Sequence, residues 1–149
     1  MKRGPIISVL SALLIVLWVY AAFSKLIEFS VFKAQLEMQP LPGWAISILR
    51  WILPIVEIIV AVLLSIKGWQ YSGLVASSLL MIVFTIYVFL ALTGSFGDIP
   101  CSCAGIISKL HWKGHLVFNL NFLLVSVLGT YLKRQELQLD YCRKPTMKV

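Results

Sequence analysis

Residues 97–115 read GDIPCSCAGIISKLHWKGH and place Cys101 and Cys103 one residue apart between glycines and a proline. A Cys-x-Cys pair can cycle between dithiol and disulfide, bind a soft metal through its thiolates, or act as a static staple. A disulfide across one intervening residue must bring the two Cα atoms within about 6.8 Å, which strains it and makes it easy to reduce. That argues against a staple. Gly97, Pro100 and Gly105 bend the backbone, and Lys109, His111, Lys113 and His115 supply positive charge that stabilises a thiolate. A copper or zinc site would draw on His111 and His115, spaced i, i+4, but no second carboxylate or cysteine cluster supports it. The plain alternative makes His111, Trp112 and Lys113 an interfacial belt at the entrance to a membrane helix.

Glu57 is the second residue that asks for chemistry, because it interrupts an apolar run. A carboxylate at membrane depth costs at least about 2–3 kcal/mol unless it is paired or protonated. If its helix begins near Arg50, Glu57 lies seven residues on, roughly 10 Å below the interface. Lys25 is then its first candidate partner and Arg50 its second. The alternative role for Glu57 is a structural ion pair that fixes helix packing. His115, Asn119 and Ser126, at i, i+4 and i+11, share one helical face and are expected to point into a bundle. They form either interhelical hydrogen bonds or a polar lining for a quinone headgroup or a proton relay, whereas Asn121 points elsewhere.

Positioning these groups falls to apolar helices. The 149 residues are 60% hydrophobic and 13% charged, with a mean hydropathy of +0.92. Soluble domains carry about twice that charge, so the chain is an integral membrane protein. Its length accommodates one domain, residues 1–149, of a few spans of about 20 residues each. Four spans are expected, at about residues 6–23, 44–66, 71–92 and 114–132, giving an all-α four-helix membrane bundle. The first is too long for a signal-peptide core and lacks a clear cleavage pattern. The mixed stretch between the first two spans suits a helix extension at the interface, broken by Pro40 and Pro42. Pro54 is tolerated inside a span because neighbouring groups can satisfy the freed carbonyl.

The net charge of +7 does not point to nucleic acid, because the basic residues gather at the chain ends and in short loops. Lys2, Arg3, Lys67, Lys133, Arg134, Arg143, Lys144 and Lys148 fall on one side, and Lys25, Lys33, Lys109 and Lys113 on the other, with Arg50 at its edge. This asymmetry predicts cytoplasmic termini and a cytoplasmic tail, residues 133–149. It also predicts an outward loop, residues 93–113, that exposes Cys101 and Cys103 to an oxidising compartment, leaving Cys142 on the reducing side.

The order FSKL (23–26), LPGW (41–44), LPIVE (53–57), a charge-free third span, PCSCAG (100–105) and an Asn-bearing fourth span resembles the MauE branch of the DoxX-like membrane proteins. Ala104 stands where that family's C-x-C-F-G loop commonly has Phe. The resemblance implies a bacterial cytoplasmic-membrane protein linked to methylamine utilisation or to extracytoplasmic thiol redox. It makes Cys101 and Cys103 the redox pair, and Lys25 and Glu57 the polar membrane positions. The implied partners are membrane lipid and a periplasmic thioredoxin-like protein or disulfide-containing client. The sequence fixes no cofactor; a membrane quinone near His115 and Asn119 is the candidate, by a general likeness of layout to DsbB-like proteins. A soft-metal binding or transport protein and a non-catalytic assembly factor remain the alternatives.

Overall fold

The computed structural model describes residues 3–39, 41–93 and 112–143. Among them the chain forms five helices and no strand: α1 (Arg3–Ile27), α2 (Phe29–Glu37), α3 (Gly43–Ser65), α4 (Gln70–Leu92) and α5 (Trp112–Arg143). Four are long and apolar enough to cross a membrane, within Gly4–Ile27, Gly43–Ser65, Gln70–Leu92 and Lys113–Tyr141. At 1.5 Å per residue the 23 residues of α3 or α4 span about 35 Å, enough for a hydrocarbon core of about 30 Å.

The long helices close into a ring in the order α1, α3, α4, α5. Each shows the others a narrow seam. In α1 the buried residues are Ile7, Ser11, Leu14, Trp18, Ala22 and Lys25, recurring at steps of three or four residues, the spacing that keeps one stripe facing a bundle axis. Pro54, Glu57, Val60, Ala61 and Leu64 form the buried seam of α3. The remaining apolar side chains face outward, among them Val9, Val16, Ile59 and Val83, all at least half exposed. In water such a surface would associate; in a bilayer it meets acyl chains.

Because lipid is as apolar as leucine, burial alone does not hold these helices together, and small residues and hydrogen bonds add specificity. A Cβ on Gly73 would lie 2.7 Å from the backbone N of Leu64, so glycine there lets α4 approach α3. Trp18 Nε1 donates to Ser77 Oγ at 2.9 Å across the bundle, and Gln70 Nε2 donates to Ser11 Oγ at 3.0 Å. Ser78 and Thr130 join α4 to α5 through their hydroxyls at 3.2 Å.

The first span is longer at both ends than the expected 6–23, running from Arg3 to Ile27, and two further boundaries differ from those read in the sequence. The extension after the first span is a separate helix, because the backbone leaves helical geometry at Glu28 (φ −102°, ψ 43°) before α2 buries Phe32 and Leu36. The last helix does not stop at Leu132 but runs through Arg143, so the first part of the expected tail is helical. Lys133 and Glu136 support this added stretch with an i, i+3 ion pair at 2.7 Å. Helix α3 passes through Pro54 unbroken.

Candidate functional site

Lys25 lies in the last turn of α1, where helix polarity favours a cation, and Glu57 lies fourteen residues into α3. That distance is about 21 Å along the helix axis, deeper than a start at Arg50 implies. Lys25 Nζ donates to Glu57 Oε1 at 2.7 Å, with the two side chains only 5% and 0% exposed. The ammonium also donates to the Ala21 carbonyl at 3.2 Å and stands 6.0 Å from the Phe32 ring centroid. Lys25, the expected first partner, therefore holds Glu57, and Arg50 does not. Arg50 is half-buried and its Nε has no partner among the described residues. Glu57 Oε2 is also buried without a partner among them.

Beside this pair is a cavity of about 370 Å³, whose walls include Lys25, Glu57, His115 and Asn119. His115 and Asn119 are 3% and 5% exposed on α5, so the face predicted for them does point inward. Ser126 is buried on the same face but donates to the Leu123 carbonyl at 2.9 Å and does not line the cavity. Asn121 is exposed and donates to the Val117 carbonyl at 2.8 Å, turned away as expected. The Asn119 side-chain nitrogen is buried with no acceptor among the described residues.

Gln39 and Tyr87 also line the cavity, and sequence reasoning missed both. Tyr87 donates its hydroxyl to Gln39 Oε1, and Gln39 Nε2 donates to the Gln35 carbonyl at 3.2 Å. This ties the chain just after α2 to α4. The available signal was chemical: an amide beside Pro40 and a phenol in an uncharged span both need hydrogen-bond partners once buried. The rest of the wall is largely aromatic and aliphatic, with Trp18, Phe84 and Phe118 among its rings.

Cys101, Cys103, Lys109 and His111 lie outside the described residues, as does the surrounding stretch 94–111. The chain leaves α4 at Thr93 and enters α5 at Trp112. The cavity draws its α4 wall from Met81, Val83, Phe84 and Tyr87, in the half of α4 that leads to Thr93, and its α5 wall from His115, Phe118 and Asn119, in the first turns after Trp112.

A quinone would need an apolar slot and hydrogen-bond donors for its carbonyl oxygens. The aromatic walls and the Asn119 amide nitrogen, which has no acceptor among the described residues, meet that requirement.

A family model described as methylamine utilisation protein MauE matches residues 3–132. No curated protein and no solved structure matches the chain.

Proposed function

The chain belongs to the MauE family, methylamine utilisation proteins, and from that premise we propose that it is a thiol redox protein. In this reading it lies in the bacterial cytoplasmic membrane with both termini cytoplasmic. It passes disulfide equivalents to or from a periplasmic thioredoxin-like protein or disulfide-containing client. The thiolate of one cysteine attacks a disulfide sulfur, a mixed disulfide forms as the leaving thiolate departs, and the second cysteine attacks to release the partner. One disulfide is broken for each one made, so two electrons and two protons change hands between the pairs.

The observation that carries this reading is a coincidence of place. The Cys-x-Cys segment joins α4 to α5, and the buried Lys25–Glu57 pair, His115 and Asn119 gather at a cavity walled by that end of both helices. A packing device would need the ion pair but no cavity beside it. Membrane-depth ionisable residues are functional candidates by default, and a two-thiol pair needs an oxidant or reductant within reach.

The test uses acid-quenched, alkylated membranes from wild type, Cys101→Ser and Cys103→Ser, resolved on non-reducing gels and by mass spectrometry. Loss of the resolving cysteine is expected to trap a reducible adduct with the partner, and loss of the attacking cysteine to leave none. Two variants that accumulate no adduct and retain full function would overturn the redox reading. A cysteine-dependent copper signal in the purified protein would put soft-metal binding in its place.

A further inference from the structure

The polar atoms left over at the cavity specify an occupant more closely than the ion pair does. Lys25 and Glu57 already neutralise one another at 2.7 Å, so a charged ligand would bring an uncompensated charge into an apolar chamber. Two further groups, each at least nine-tenths buried, lack partners among the described residues: Glu57 Oε2, which can only accept while ionised, and the Asn119 amide nitrogen, which donates. They belong to different helices, α3 and α5, and both line this cavity. Trp18, Phe84 and Phe118 add aromatic rings to its lining. A lipid acyl chain would fill the volume and leave both polar atoms unsatisfied.

We propose that this cavity binds an uncharged, lipid-soluble molecule carrying carbonyl or hydroxyl oxygens on a flat ring, the chemistry of a quinone or quinol headgroup. Asn119 donates to a ring oxygen and Glu57 Oε2 accepts from a ring hydroxyl when the ligand is in its reduced form. A volume of about 370 Å³ suits one such headgroup and falls within the range of small-molecule sites. The proposal deepens the redox reading by naming a class of electron carrier, but binding itself requires neither cysteine.

Decylubiquinone is titrated into the full-length protein in nanodiscs, and saturable quenching of tryptophan fluorescence is read together with the shift in thermal unfolding. Wild type and the Cys101→Ser/Cys103→Ser double variant are expected to bind alike. Asn119→Leu is expected to weaken binding about tenfold or more, the equivalent of one lost hydrogen bond in a dry site. Ala21→Phe, which fills the cavity from α1, is expected to abolish it, and Asn121→Leu on the exposed face to leave it unchanged. Unfolding profiles without ligand identify any variant that is merely misfolded. Absence of saturable binding by wild type, or binding indifferent to both Asn119→Leu and Ala21→Phe, would overturn the proposal. So would methylammonium or palmitate occupying the cavity while the quinone fails to compete. Binding that survives in the double-cysteine variant while adduct trapping fails would sink the thiol reading alone.

Discussion

The Lys25–Glu57 pair sets two expectations that a packing role and a functional role separate. Removing one member of a buried pair leaves an uncompensated charge and costs about 3–5 kcal/mol, whereas replacing both with apolar residues of similar size is often neutral or stabilising. Glu57→Ala is therefore expected to destabilise more than Glu57→Gln, which keeps volume and an acceptor for Lys25. Unfolding of the detergent-solubilised protein checks the order, and equal tolerance of both would show that Glu57 has no buried role. The double change Lys25→Met/Glu57→Leu is expected to restore the stability lost in either single variant. If it also retains client maturation in cells, the pair is a packing device; loss of maturation in a stable double variant assigns it to the chemistry. The partnership itself was legible, since a lone carboxylate at depth demands a cation and FSKL ends a span where LPIVE can meet it. The Tyr87–Gln39 contact was not, because it joins residues 48 apart and no periodicity in either segment marks the pairing.

At the scale of helices, the bundle depends on where backbones can touch. Gly73→Ala puts a methyl group 2.7 Å from the Leu64 backbone nitrogen and 2.9 Å from the Leu63 carbonyl carbon, neither of which can rotate away. Such overpacking typically costs about 1–3 kcal/mol, and Gly73→Val is expected to cost more than Gly73→Ala. Gly129→Ala meets Leu74 Cδ2 at 2.9 Å, the far end of a flexible side chain, so a rotamer change can absorb it. The gap between the two alanine variants, measured as thermal midpoints in one detergent, tests whether α3 and α4 pack through Gly73. A Gly73→Ala protein as stable as Gly129→Ala would contradict it. The four spans were legible because runs of about 20 apolar residues leave few alternatives in a bilayer, and α3 and α4 begin and end within a residue of expectation. The end of α5 was not, because Lys133 and Arg134 mark the end of an apolar span while remaining good helix formers, so hydropathy stopped where the backbone continued.

For the whole molecule, the deciding quantity is which way the bundle faces. The family and the four spans make it a multi-pass membrane protein, and α4 and α5 meet residues 94–111 at the end where the cavity takes its walls from Tyr87 and His115. The sidedness of that end fixes the redox environment of Cys101 and Cys103, because thiols persist in the cytosol and are oxidised outside it. Charge predicts the orientation: Lys67 lies in the short turn between α3 and α4, and Lys133 and Arg134 lie in the second half of α5, toward the end of the bundle opposite the α4 C-terminus and the α5 N-terminus. The positive-inside tendency therefore predicts that a membrane-impermeant maleimide, applied to intact cells after mild reduction, labels Cys101 and Cys103 and spares Cys142 until the membrane is permeabilised. Single-cysteine variants assign the label to each position. Labelling of Cys142 in sealed cells, with Cys101 and Cys103 protected, would place the pair in the reducing compartment and remove the basis for disulfide exchange with an extracytoplasmic partner. Quinone binding in the cavity would survive that reversal, because both faces of a bilayer share the same lipid-soluble carriers.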